Sequence, residues 1–121
     1  MSKFKELKVW QKSKDLVLTI YTLSNQGGLE HDWGLRDQMR RAAISILSNI
    51  AEGDESGSNN TAIRYFNISK GSSAELLSQT IIAHEIGYID HDSFNIVEQE
   101  CQSISAMLEK LIQSRRCKKQ V

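Results

Sequence analysis

The side chains that could carry chemistry in this chain are two glutamates, a group of serines and three histidines. Glu52 lies in the stretch Ser48-Asn49-Ile50-Ala51-Glu52-Gly53, and Glu75 follows Gly71-Ser72-Ser73-Ala74. Two carboxylates can divide acid and base roles when their surroundings push their pKa values apart. Here no nucleophile, metal set or phosphate loop accompanies them. Ser72 and Ser73 have no histidine base placed by the sequence, and small hydroxyls in a helix equally serve tight packing. His84-Glu85 with His91 is not the zinc-protease spacing, because the second histidine falls seven residues on rather than four. Gly27-Gly28 reads as a turn, since no Lys-Ser/Thr follows to complete a phosphate cradle. Cys101 and Cys117 lie 16 residues apart, with no CxxC pair and no metal spacing. Cys101 falls on an apolar helical stripe and reads as a small buried hydrophobe. No enzyme activity, metal or cofactor is expected.

The same polar residues make better sense as structure. Arg41, Ser45, Asn49 and Glu52 step by 4, 4 and 3, so they share one helix face. Ser69, Ser72 and Glu75 step by 3 and 3 on the following helix, beside Gly71, which would allow close backbone approach. The two faces are expected to meet in a polar network of Arg41, Ser45, Asn49, Glu52, Ser72 and Glu75. Such a network would set helix register or subunit contacts, because buried polar groups must be paired.

The elements that must position these groups are helices. Of 121 residues, 40% are hydrophobic and 25% charged, and there is no proline. A chain of this length holds one core, and without proline it lacks a strong internal helix breaker. Breaks rich in Gly, Asn, Asp and Ser fall at 24–32, 52–60 and 87–93. Between them the spacing predicts helices over about 4–23, 34–52, 60–87 and 93–115, then a basic tail over 115–121. Gly53 reads as the glycine just past a helix end, and Asn59 or Asn60 and Ser93 read as N-caps. In the last helix Phe94, Val97, Cys101, Ile104, Leu108 and Leu111 follow a heptad seam. Long helices and short loops give an all-α fold, an antiparallel up-down-up-down four-helix bundle forming one domain over 1–121. The second helix carries a second apolar stripe, Ile44, Leu47 and Ala51. One core absorbs one stripe per helix, so the extra stripe predicts contact with another copy.

Charge is balanced in total and segregated in place. Net charge is zero and the pI about 6.8, against the basic excess usual in nucleic-acid binders. Yet Lys3, Lys5, Lys8, Lys12 and Lys14 open the chain, and Lys110, Arg115, Arg116, Lys118 and Lys119 close it. In this topology both ends of the chain meet at one end of the bundle. Repeated over several copies of the chain, Lys3, Lys5, Lys8, Lys12, Lys110, Arg115, Arg116, Lys118 and Lys119 would make a patch for RNA or DNA phosphates. The alternatives are solvated termini, or an assembly factor that binds only proteins through apolar faces and an acidic end. No run approaches the length of a membrane span and no signal peptide opens the chain, so a cytoplasmic protein with no membrane partner is expected.

A family resemblance emerges from three stretches in order: "FKELKVWQKSKDLVLTIY", "LRDQMRRAAISILSNIAEG" and "RYFNISKGSSAELLSQTIIAHEIGYI". Together they resemble the four-helix-bundle proteins encoded in intervening sequences of bacterial 23S ribosomal RNA genes. Accessory proteins of diversity-generating retroelements look similar. The resemblance implies a homopentamer. Its retroelement branch implies binding to nucleic acid and to a reverse transcriptase or another nucleic-acid-processing protein. Two departures stand out: Leu47 where the family often has proline, and Asp54 and Glu55 where its loop is often basic.

Overall fold

The computed structural model describes residues 3–119, with side chains through Arg116. A 3-10 turn, Phe4–Glu6, leads into α1 (Lys8–Leu23). A short α2 (Gly27–His31) precedes α3 (Trp33–Glu55), α4 (Asn59–Ile86) and α5 (His91–Lys119). The four long helices form the expected antiparallel up-down-up-down bundle, and there is no strand among the described residues. Packing runs round the bundle from α1 to α3, α4 and α5, and α5 closes back on α1. The α1–α5 seam is the sparsest of the four, and α3–α4 is the densest.

Local chemistry sets the turns. Asp32 caps α3 by accepting from the Leu35 amide at 3.2 Å, and Ser58 caps α4 by accepting from the Thr61 amide at 3.3 Å. Asp90, rather than Ser93, caps α5, since its Oδ1 accepts from the Ser93 amide at 2.8 Å. The α4 cap likewise falls one residue before the expected asparagines. α4 ends on Gly87 at φ 98°, where the Gly87 and Tyr88 amides return to the carbonyls of His84 and Ala83. That left-handed closure turns the chain into α5 within four residues.

The predicted loop over 24–32 contains α2, because Leu29 is fully buried and holds a helical turn against the bundle end. The Tyr88 ring lies over Gly28, and its hydroxyl donates to Asp32 Oδ2 at 3.1 Å. One aromatic side chain thus ties together α2, the α3 cap and the α4–α5 turn.

Each long helix turns its apolar stripe inward, where Leu16, Ile20, Met39, Ile46, Phe66, Leu76, Ile104 and Leu108 are all at most 1% exposed. Trp10 packs partly against this core and Trp33 stands exposed. On α5 the buried series is Val97, Cys101, Ile104, Leu108 and Ile112, with Leu111 only half-buried. The last step is four residues rather than the three of a heptad. A straight α-helix drifts about 20° per heptad from a 3.5-residue repeat, which rolls Leu111 out of the core and brings Ile112 in.

Gly53 corrects a second expectation. α3 runs past it to Glu55, and Gly53 is buried in mid-turn against α4. A Cβ there would stand 2.7 Å from a Phe66 ring carbon and 3.2 Å from the Ala62 carbonyl. Gly71, expected at a close approach, is exposed, and a Cβ there would meet nothing within 4 Å. Gly53→Ala should therefore lose about 1 kcal/mol of stability, overpacking outweighing the helix propensity gained. Gly71→Ala should gain about 0.5–1 kcal/mol. Urea unfolding of both variants checks this, and a Gly53→Ala protein as stable as the parent would break the argument.

Candidate functional site

The expected polar network exists in its centre and not at its margins. Ser45 on α3 and Ser72 on α4 share a hydrogen bond between their Oγ atoms at 2.8 Å. Asn49 Nδ2 donates back one turn, to the Ser45 carbonyl at 2.8 Å and to Ser45 Oγ at 3.0 Å. One turn from Ser72, the buried Ser69 hydroxyl donates to the Ile46 carbonyl at 2.8 Å. On the other flank of α4, Ser73 donates to the Cys101 carbonyl of α5 at 3.1 Å. Small hydroxyls let the backbones approach and satisfy carbonyls across the seam. Arg41, Glu52 and Glu75 stand exposed and join none of these bonds.

The register also separates the two carboxylates. With Ser45 level with Ser72, Glu75 lies level with about residue 42 of α3. Ten residues of helix then separate it from Glu52, about 15 Å along the axis. Two groups that far apart cannot share a proton or flank one bond.

At the chain-terminal end of the bundle, the expected cations divide into paired and exposed groups. Arg115 reaches from α5 to Asp54 at 3.1 Å, both side chains mostly covered, with its guanidinium over the Phe66 ring. Lys12 pairs with Glu100 at 3.2 Å across the α1–α5 seam. Glu109 accepts from Lys70 at 2.6 Å and from Gln113, and these partners, Lys70 foremost, hold its carboxyl below the usual range. Lys3, Lys5, Lys8, Lys110 and Arg116 are exposed. The side chains of Lys118 and Lys119 lie outside the described residues. Glu6, Glu52 and Glu55 are exposed acids of the same end. Asp54, expected among the acids of the basic loop position, is bound inward by Arg115.

The remaining chemistry is muted. Among the described residues no group of three or more His, Cys, Asp or Glu side chains is placed to hold a metal ion. No described helix is long and apolar enough to cross a membrane. His84 stacks on Phe94 at 4.8 Å between ring centres, and His91 lies beside it. Cys101 is buried, and that burial pushes its thiol up to about 11, with the Ser73 hydroxyl pulling weakly the other way.

The sequence profile described as 23S rRNA-intervening sequence protein matches residues 5–110. The chain belongs to that family. Its fold also matches the crystal structure of a protein of unknown function from the S23 ribosomal protein family of Bacteroides thetaiotaomicron. That match has a TM-score of 0.78 and 20% identity, and covers 86% of this chain and 97% of the other. The curated proteins give no match. The matched region holds the serine seam, Lys5, Lys8, Lys12 and Lys110. Lys3, Arg115, Arg116, Lys118 and Lys119 lie beyond it.

Sequence reasoning missed the Asp54–Arg115 pair and the exposed apolar side chains of α4, Ile68, Ile82 and Ile86. The pair joins residues 61 positions apart, which no local spacing signals. The isoleucines do signal themselves, since α4 is apolar on more than one face.

Two outcomes follow. Asp54→Ala should cost about 1–2 kcal/mol in chemical denaturation, because it strands a mostly covered guanidinium. Asp37→Ala, at an exposed pair with Arg36, should stay within about 0.5 kcal/mol. Equal losses would mean that the Asp54 pair is only a surface contact. The second concerns Cys101. The unfolded thiol ionises near 9.0 and the folded one near 11. The stability held below the unfolded value is therefore lost as pH rises from about 9 to about 11, by about 2–3 kcal/mol. Urea midpoints of the parent should fall more steeply over that window than those of Cys101→Ala. Parallel declines would show that burial does not hold the proton.

Proposed function

We propose that this protein is a non-enzymatic scaffold that self-associates and presents its basic end to nucleic acid or to a nucleic-acid-processing protein. The observation that carries the reading is the division of charge at that end. Asp54 and Glu109 are engaged by Arg115 and Lys70, while Lys3, Lys5, Lys8, Lys110 and Arg116 face outward. One protomer offers few phosphate contacts. A ring of copies, five by the resemblance, would multiply them, and binding would follow backbone charge and shape without base readout.

Self-association has its own support. The second stripe of the predicted second helix lies on α3 with Ile44 40% exposed and with Leu47 and Ala51 half-buried. Beside it on α1, Leu18 and Tyr21 are exposed. On α4, Ile82 is 50% and Ile86 54% exposed. These are two unlike faces, so a contact between them would be head-to-tail, the arrangement that closes rings. The same apolar faces favour a second reading, a protein-assembly factor with no nucleic-acid contact. We place the protein in the cytoplasm and assign it no cofactor.

Fluorescence anisotropy with labelled single- and double-stranded RNA and DNA across a salt series separates the two readings, with native mass recorded on the same sample. Binding should weaken steeply with salt, and the variant Lys110→Gln/Arg116→Gln should lower the log–log slope by about 2 per protomer engaged. No binding at low salt, or an unchanged slope, would leave the protein-assembly reading.

A further inference from the structure

An apolar groove of ≈ 390 Å³ lies between the start of α1 and the end of α5, lined by Leu7, Lys8, Val9, Met107, Lys110, Leu111 and Ser114. Its origin is a mismatch of lengths. Lys12 lies level with Glu100 across the antiparallel seam. Counting four residues back on α1 and four forward on α5 sets Lys8, the first residue of α1, level with about Ile104. α5 continues well past that point to Lys119. Its α1-facing side chains, Met107 and Leu111, therefore outrun the helix that should cover them. The drift that rolls Leu111 out of the core directs it to the same place. The groove is open to solvent along one side.

Its chemistry selects the occupant. The floor is apolar, and Lys8 and Lys110 stand exposed on its two rims, one from each helix. A segment lying there must bring apolar side chains to the floor and negative charge to both rims. Among the described residues no aromatic side chain lines the groove, so a nucleobase has nothing to stack on. An acyl chain in an open-sided groove would stay half wet. An amphipathic helix fits on both counts, because its apolar face enters and its flanks stay in solvent. Met107 adds an adaptable thioether contact suited to such a surface. We infer that this groove docks an acidic amphipathic helix of a partner protein, seated where α1 stops short of α5. The assignment goes beyond the nucleic-acid reading and does not depend on it.

The test uses two peptides of about 18 residues, roughly five turns. Both carry leucines along one helical face; one has glutamates on the flanks and its twin has lysines. The readout is methyl NMR of methionine-labelled protein, in which the half-buried Met107 reports the groove and the fully buried Met39 serves as internal control. The glutamate peptide should shift the Met107 methyl saturably and leave Met39 in place. The lysine twin should bind at least about tenfold more weakly. The variant Lys8→Glu/Lys110→Glu, altered only at exposed positions, should reverse that preference. Met107→Glu should abolish the glutamate-peptide response, with folding followed by circular dichroism. No shift, equal response to both peptides, or a preference unmoved by the charge reversal would overturn the assignment. So would a Met107 signal that moves with protein concentration alone, which would make a second copy the occupant, or one that moves with single-stranded RNA and not with the glutamate peptide. Loss of nucleic-acid binding in anisotropy would leave a positive Met107 result standing.

Discussion

The structure depends on how closely α3 and α4 approach. At one end of their seam Gly53 lies under the Phe66 ring, with no room for a side-chain carbon. At its centre Ser69 and Ser72 reach across to the Ile46 carbonyl and to Ser45. Small residues permit this distance, and the serine hydroxyls of α4 reach across it to oxygens of α3. A one-residue slip would press Phe66 against a side chain and break both serine contacts. The register of this seam then sets the rest. It places Asp54 level with the close of α5, where Arg115 meets it, and it sends α4 to Gly87 at the height where Tyr88 closes over Gly28.

Much of this was legible in the residues. The all-helical bundle follows from the absence of proline, three polar breaks and apolar stripes at helical spacing. The inward core of α5 was legible through Leu108, and the serine contact between α3 and α4 was legible from matching steps on two helices. What escaped was decided by tertiary contact. Gly53 looks like a terminator, since glycine is common just past a helix end, and only the Phe66 ring explains why it sits inside one. Leu29 within a Gly-rich break looks like loop, yet its burial stabilises a helical turn. Asp90 takes the capping role from Ser93 because the left-handed turn at Gly87 starts α5 two residues early. Glu75 is as close to Ser72 along the axis as Ser69 is, but its side chain faces solvent, and the exposed Glu52 lies about two turns from Ser45, a matter of how the helices are rolled and set in height that spacing on each helix alone does not give.

The surface divides its labour by element. The end opposite the chain termini serves closure, as Asp32 and Asp90 cap helices and Tyr88 and Leu29 seal the turns. The sides of α3 and α4 carry apolar residues that a lone bundle leaves in water, a common mark of assembly. The terminal end holds Asp54 and Glu109 in ion pairs and keeps Lys3, Lys5, Lys8 and Lys110 outward. In the interior, the buried Cys101 thiol and the serines that bond across the helix seams contribute to packing.

The loose α1–α5 seam has a consequence for motion. α3, α4 and α5 form a continuous block joined by serine-to-carbonyl bonds and by the Lys70–Glu109 and Asp54–Arg115 pairs. α1 is the shortest long helix, and its Lys12–Glu100 pair to the block is partly exposed. Free energies of local opening scale with such contacts. Opening at that seam is therefore the least costly local step in the bundle, while the buried Ser24 hydroxyl, which accepts from Arg40 at 2.8 Å, keeps the far end of α1 tied to α3. Backbone amides at the start of α1 should exchange faster with solvent than those around Ser69 and Ile104.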